Sequence, residues 1–89
     1  MPDQASNYSI EVTRKFLKDL RKIPRHEQVR IRRALGEIET NPFRGRKVVG
    51  AELGQYRWRV GNYRIRYDIG DELVVVLRVL KREDAYRQF

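Results

Sequence analysis

Four arginines alternate with aromatic and aliphatic residues in one short stretch of the chain, which reads YRWRVGNYRIRY over residues 56–67. Guanidinium groups bind phosphate through paired hydrogen bonds and keep their charge at any physiological pH. Gly61 and Asn62 interrupt the alternation and are typical of the two-residue loop of a β-hairpin. The stretch therefore predicts two short strands that carry an anion-binding face.

The predicted hairpin loop also sets the register of the two strands. The expected pairs are Val60 with Tyr63, Arg59 with Arg64, Trp58 with Ile65, Arg57 with Arg66 and Tyr56 with Tyr67. Because strand side chains alternate between faces, the four arginines share one face and the aromatic residues share the other. Arginines that face each other repel by roughly 0.2–1 kcal/mol a pair. The pattern favours a bound polyphosphate chain; the alternative is a solvated basic face above an aromatic core.

Composition limits the protein to one small domain of 89 residues, which has no room for two cores. The chain has no cysteine, so disulfides and thiolate metal sites are excluded. Twenty basic residues face 12 acidic ones, which leaves a net charge of +8. This excess, carried mostly by arginine, favours nucleic acid or an acidic protein as the partner.

The first residues lack the basic and apolar regions of a signal peptide, and no apolar run approaches the ~20 residues that span a bilayer. We therefore expect a cytoplasmic protein that has no membrane partner. Residues 1–7 are predicted to be a flexible tail, and residues 8–89 to form a single domain.

The predicted fold class is α+β, with the order β-α-α-β-β-β and a helical hairpin packed on a mainly antiparallel sheet. Thr13 is the expected N-cap of the first helix, and Pro24 stops that helix. The second helix has an apolar stripe of Val29, Ile31, Ala34, Leu35 and Ile38. The remaining elements are predicted as a strand at 8–12, helices at 14–23 and 25–40, a loop at 42–54, the arginine hairpin at 55–69, and a strand covered on both faces at 73–80.

The usual catalytic apparatus is missing from the sequence. His26 is the only histidine and lies far in sequence from the hairpin, so neither a zinc site nor a histidine base is predicted. Glycine-rich nucleotide loops do not occur. Arginine, lysine and tyrosine remain, and they can hold a phosphate and stabilise the charge that develops on it. RNA brings its own nucleophile, the 2′-hydroxyl, so an RNA-cleaving site needs no cofactor.

Two motifs give the chain a family resemblance over residues 8–86. Residues 56–64 resemble the Y-R-x-R-x-G-x-Y-R core of the RelE/ParE toxins, and residues 81–86, KREDAY, resemble the [HK]-R-x-x-x-Y ending of their ribonuclease members. Together with the element order and Tyr67, these motifs place the chain closest to the RelE branch. The resemblance implies a sheet like that of small microbial ribonucleases.

RelE-like toxins cut the mRNA codon displayed in the ribosomal A site, where the 2′-hydroxyl attacks the adjacent phosphate. By resemblance, Arg64 stabilises the transition state, Arg82 acts near the leaving 5′-oxygen, and Tyr86 stacks on or orients the bases. Arg57 and Arg59 complete the predicted catalytic set. The residues predicted to bind RNA or the ribosome are Arg44, Arg46, Lys47 and Lys81.

The position of the general base stays open, because Arg57 and Arg59 stand where well-studied members carry lysines. The pKa of an arginine lies above ~12, so arginine is a poor base at neutral pH. Three readings are available. Arg59 only stabilises the ionising hydroxyl, or Lys81 or Lys47 supplies the base, or the activity is weak.

Three functions compete. The first is a metal-independent, ribosome-dependent endoribonuclease that uses the 70S ribosome and mRNA. The second is a ParE-like inhibitor of DNA gyrase, and the third is a non-catalytic RNA- or protein-binding module. Arg82 and Tyr86 favour the first. In each case the resemblance implies a monomeric toxin and a cognate antitoxin; an exposed arginine cluster independently favours an acidic partner segment that folds on binding.

Overall fold

The computed structural model describes residues 8–83 and contains a five-stranded sheet with two helices on one face. The spatial order of the strands is β1-β5-β4-β3-β2, in which β1 runs parallel to β5 and all other neighbours are antiparallel. The α+β prediction is thus confirmed. The elements are β1 (Ser9–Val12), α1 (Arg14–Arg21), α2 (Arg25–Thr40), a 3₁₀ turn (Pro42–Arg44), β2 (Arg46–Lys47), β3 (Tyr56–Val60), β4 (Tyr63–Ile69) and β5 (Leu73–Lys81).

Both helices begin where the sequence indicates. The hydroxyl of Thr13 accepts a hydrogen bond from the N–H of Phe16 at 3.1 Å, and so caps α1. α1 ends at Arg21, since Pro24 cannot continue a helix, and α2 occupies the predicted residues. Val29 was predicted in the buried stripe of α2, but it is 54% exposed. It lies two positions before the buried Ile31, which places it about 200° away around the helix axis.

The core lies between the helices and one face of the sheet. α1 packs mainly on β5 and α2 mainly on β3. The prediction that both faces of β5 are covered holds for one face only: Val74, Val76 and Val79 are buried, whereas Leu73 and Val75 on the other face are half-buried. The opposite face of the sheet carries the arginines.

α1 also protects the edge of β5 beyond the point where β1 ends. The hydroxyl of Thr13 donates to the carbonyl of Leu77 at 2.8 Å. One step along, the carboxylate of Asp19 accepts from the N–H of Val79 at 3.1 Å and from Arg78 at 2.7 and 3.0 Å. Side-chain partners thus satisfy backbone groups that would otherwise be left at an open edge.

Residues 42–54, predicted as a loop, contain more structure than their glycines indicate. The 3₁₀ turn opens the segment, and β2 then pairs Arg46 with Arg57 and Lys47 with Tyr56. β2 has only two residues, so no alternation of side chains is available to reveal it in the sequence. The predicted element order therefore lacks one edge strand.

Candidate active-site groove

The arginine hairpin has the predicted register. All five cross-strand pairs are confirmed, from Val60 opposite Tyr63 to Tyr56 opposite Tyr67. Gly61 has φ +57°, the left-handed conformation that this loop position requires and that glycine adopts at little cost. The side chains of Trp58 and Tyr67 lie in the core, as expected.

The arginines form rows across the sheet. Because β2 adds Arg46 opposite Arg57, one row runs through Arg46, Arg57, Arg66 and Arg78 on four neighbouring strands. Arg59 and Arg64 form a second pair, one step closer to the hairpin loop. The rows concentrate positive charge on one face, but the individual side chains meet different surroundings.

Arg66 belongs to the arginine cluster that the sequence predicted to be exposed, and for this residue the prediction is wrong. It is 6% exposed, and its Nε donates to the carbonyl of Gly54 at 2.8 Å. The loop before β3 folds back over this part of the sheet, because the N–H groups of Gly54 and Gln55 both donate to the carboxylate of Asp68, at 3.0 and 2.7 Å. Arg66 is therefore a structural residue that anchors this loop.

Arg64 is also buried, with 6% of its surface exposed, whereas the sequence predicted an exposed cluster. Its Nη1 donates to the carbonyls of Gly61 and Tyr63, at 3.3 and 3.1 Å. The carbonyls of the hairpin loop thus supply part of the compensation for positive charge that we expected from a bound anion. These bonds hold the guanidinium of Arg64 in place. Of the other two arginines, Arg57 is half-buried and Arg59 is exposed.

A groove of about 520 Å³ runs along the edge of β3. This volume lies within the usual range of ligand sites, about 300–1,000 Å³. β2 pairs only with the first two residues of β3, so the remaining edge stays open between α2 and the turn that precedes β2. The residues that line the groove are Glu37, Arg44, Gly45, Arg46, Arg57, Trp58, Arg59 and Arg64.

An aromatic residue completes the basic lining. The guanidinium carbon of Arg44 lies 5.5 Å from the centre of the Trp58 ring, within the range of a cation–π contact. Trp58 therefore has two roles, since the body of its side chain belongs to the core and its surface lines the groove. An arginine stacked on an aromatic ring is a surface on which nucleic-acid bases also stack.

Tyr67 fixes the wall of the groove that carries Arg44. Its hydroxyl donates to the carbonyl of Pro42 at 2.6 Å, and its ring stacks on that of Tyr56 at 5.7 Å. Burial raises the pKa of Tyr67 to about 12. Gly45 passes directly over this hydroxyl, and any Cβ there would overlap it. The close approach explains why glycine follows the 3₁₀ turn.

The other predicted site residues are distributed unevenly. Arg82 is exposed, and its N–H donates to the carbonyl of Asn62 at 2.7 Å, which places it beside the hairpin loop. Lys47 and Lys81 are exposed on β2 and β5 but do not line the groove. Tyr86 and the predicted tail at 1–7 lie outside the described residues.

Sequence reasoning missed Glu37, which lines the groove from α2. It also lines a smaller adjoining depression of about 190 Å³, together with Arg30, Arg33 and Arg59. Its position on the helix, three residues after the buried Ala34, is the only signal that could have indicated a sheet-facing location.

No group of three or more potential metal ligands occurs within residues 8–83. The helices described are also too short and too polar to cross a membrane.

Comparison with known proteins decides the family. A sequence model of the ParE toxin of the type II toxin-antitoxin system parDE matches residues 10–86. The chain belongs to the RelE/ParE superfamily of type II toxins. Among the curated relatives of this RelE/ParE chain, toxin RelG of Mycobacterium tuberculosis is 38% identical over 85 residues, covering 91% of this chain and 98% of RelG. Toxin RelE3 of Methanocaldococcus jannaschii is 33% identical over 79 residues, covering 83% and 90% of the two chains.

Solved structures agree with this assignment. The RelBE2 toxin–antitoxin complex of Mycobacterium tuberculosis contains a chain that matches with a TM-score of 0.75 and 33% identity, covering 84% of this chain and 98% of that one. A chain of the RelB–RelE complex of Methanococcus jannaschii matches with a TM-score of 0.70 and 31% identity, covering 88% and 96%. The predicted resemblance and the RelE fold are therefore confirmed.

Proposed function

We propose that this RelE/ParE toxin is a ribosome-dependent endoribonuclease that cleaves mRNA in the A site. The observation that carries the proposal is the groove, where Arg57, Arg59 and Arg64 lie beside Arg44 stacked on Trp58. Such a groove offers phosphate ligands and a stacking surface together, which are the two features that bind single-stranded RNA. The names of the curated relatives, RelG and RelE3, support the RelE branch.

Each arginine has a distinct part in this proposal. Arg64 is held by the carbonyls of the hairpin loop, so its guanidinium is already oriented before RNA binds. A preorganised donor stabilises the charge that develops on a phosphate without reorganising during the reaction. Arg57 and Arg59 hold the neighbouring phosphates. Arg82, beside the hairpin loop, acts near the leaving oxygen, and Tyr86 stacks on or orients the bases.

Ribosome binding is assigned to the basic residues at the rim. Arg46 lines the groove, while Lys47 and Lys81 lie outside it on exposed ends of strands. Contacts of this kind with rRNA phosphates carry no sequence information but supply binding energy and position the toxin. The reaction needs no metal in this proposal, since arginine charge replaces it. Because it takes place on ribosomes, we place the protein in the cytoplasm, without a membrane partner and monomeric when it acts.

A cognate antitoxin is the remaining proposed partner. The two solved structures reported above are complexes with RelB antitoxins, and this chain carries a net charge of +8. An acidic antitoxin segment would be attracted to the arginine groove by long-range electrostatics and would occupy the space that RNA needs. Inhibition by occlusion of the groove follows.

The test is cleavage of a defined mRNA by purified toxin, with and without programmed 70S ribosomes, mapped by primer extension. We expect cuts at A-site codons only when ribosomes are present. Arg64→Ala should lower the cleavage rate by at least about 100-fold, the usual effect of removing one preorganised charge donor. Arg64→Lys keeps the charge but loses the planar fork, and so should also be strongly impaired.

The matched control is Arg21→Ala, which removes the same charge from an exposed position on α1 outside the groove. It should cleave like the wild type. If no RNA is cut in either condition and the protein instead inhibits gyrase supercoiling, the ParE-like function replaces this proposal. If neither activity is found, the third reading, a binding-only module, replaces it.

A further inference from the structure

One carboxylate faces the arginines of the groove. Among the eight described residues that line it, five are arginines and Glu37 is the only acid. Its place on α2 is well defined, because Ala34 and Ile38 on either side of it are buried in the core. Glu37 itself is exposed and so lies where solvent or a ligand reaches it.

Glu37 is chemically available. Its carboxylate forms no ion pair within the part of the chain that the structure describes. By contrast, the groove-lining arginines Arg57 and Arg64 already have other interactions. Glu37 is therefore not consumed as the structural counter-ion of these arginines.

Cleavage of RNA by its own 2′-hydroxyl requires a group that takes the hydroxyl proton. Arginine holds its proton too strongly to do so at neutral pH. The two lysines that the sequence offered as alternatives, Lys47 and Lys81, do not line the groove. A glutamate side chain in water is ionised at neutral pH and has the lone pairs that this step needs.

We propose that Glu37 is the general base of this toxin and takes the proton of the attacking 2′-hydroxyl. The proposal rests on the ribonuclease function proposed above. In this step an oxygen of the Glu37 carboxylate accepts the proton, a bond forms between the 2′-oxygen and phosphorus, and the bond from phosphorus to the 5′-oxygen breaks. Water protonates the leaving 5′-oxygen, with Arg82 stabilising its charge, and the hydroxide that remains takes the proton from Glu37. The products are a 2′,3′-cyclic phosphate and a 5′-hydroxyl.

The neighbours of Glu37 suit this role. Together with Arg59 and Trp58, it lines both the groove and the smaller depression, and so lies where the two meet. The arginines stabilise the dianionic, phosphorane-like transition state, whereas the carboxylate of Glu37 accepts the proton of the 2′-hydroxyl.

The experiment compares single-turnover cleavage on programmed 70S ribosomes by the wild type, Glu37→Gln and Glu37→Asp. Loss of a general base costs about 10²- to 10⁴-fold, so Glu37→Gln should cleave at least about 100-fold more slowly. Glu37→Asp keeps a carboxylate on a shorter side chain and should recover part of the rate. The wild-type rate should fall towards acidic pH, and this acidic limb should disappear in Glu37→Gln. Binding to ribosomes should be unchanged.

Glu39→Gln is the matched control, since it makes the same change two residues along α2 and outside the groove. It should cleave like the wild type. A wild type that cuts no RNA overturns the proposed function itself. A wild type that cuts, alongside a Glu37→Gln variant with the same rate and the same pH profile, overturns only the role of Glu37. Weaker ribosome binding by Glu37→Gln with an unchanged rate at saturation would also overturn it, and would assign Glu37 to RNA recognition.

Discussion

At each of two edges of the sheet, an acidic residue of a helix lies near arginines of the strands, but only one of these acids forms an ion pair. At the β5 edge, Asp19 of α1 binds Arg78 with two hydrogen bonds and also accepts from the backbone of Val79. At the β3 edge, Glu37 of α2 faces a groove lined by arginines and forms no ion pair within residues 8–83. One edge is closed by its helix, and the other is left open.

Burial accounts for the difference. The side chains of Asp19 and Arg78 are 11% and 22% exposed, and the hydrogen bond to Asp19 raises the pKa of Arg78 above its ordinary value. Charges that are largely withdrawn from water need a partner, whereas exposed charges do not. The closed edge therefore stabilises the fold, and the open edge is available for a ligand.

Replacing each acid by alanine tests this comparison most strongly. Asp19→Ala should lower the free energy of unfolding by about 2–3 kcal/mol, because Arg78 and the N–H of Val79 lose their partner while partly buried. Glu37→Ala, which removes a carboxylate from the other helix, should change it by less than about 0.5 kcal/mol. Denaturant titrations of both variants measure this. Equal losses would show that Glu37, too, is a structural residue.

Tyr67, which supports the open edge, should make the stability of the protein sensitive to alkaline pH. The pKa of this residue is about 12 in the folded protein and about 10 in an unfolded chain, so its contribution to stability is complete below pH 10 and is lost as pH rises through 12. The loss amounts to about 2–3 kcal/mol. Tyr67→Phe should be less stable at neutral pH by about 1 kcal/mol, since Pro42 loses its donor.

The unfolding free energies of the wild type and Tyr67→Phe, compared from pH 8 to pH 12.5, measure this effect. Their difference should shrink and then change sign across the window from 10 to 12. A difference that stays constant with pH would remove Tyr67 as the cause.

The salt dependence of RNA binding should distinguish the arginines of the groove from other surface arginines. For each phosphate contact, the affinity for single-stranded RNA falls by about 0.7 logarithmic units when the salt concentration rises tenfold. Arg59→Ala should therefore lower the slope of log affinity against log salt by about 0.7, whereas Arg21→Ala on α1 should leave it nearly unchanged. Fluorescence anisotropy at a series of salt concentrations gives both slopes. Identical slopes for the two variants would mean that the groove does not bind the phosphates.

Gly36 should give the smallest effect. A Cβ at this residue of α2 meets nothing within 4 Å, so Gly36→Ala should stabilise the protein by about 0.5–1 kcal/mol through helix propensity alone. Thermal unfolding measures the gain. Cleavage activity should not change, because Gly36 does not line the groove; a change would mean that the outer surface of α2 also takes part.

Local patterns in the sequence determined much of the fold and of the hairpin. The bounds of α2, the cap at Thr13 and the register from residue 56 to residue 67 depend on neighbours a few positions apart. A two-residue loop with glycine at its first position leaves only one way to pair the strands. All five arginines that line the groove were selected from the sequence as site residues.

The burial and the hydrogen-bond partners of those arginines depended on contacts with residues distant in sequence. Gly54 lies 12 residues before Arg66 and binds it, and Pro42 lies 25 residues before Tyr67, which holds the turn that carries Arg44. Glu37 reaches the groove only because α2 packs on β3. Periodicity in a sequence identifies which face of an element is buried but not what that face meets, so only the tertiary structure decided which arginines were structural and which acid faced the site.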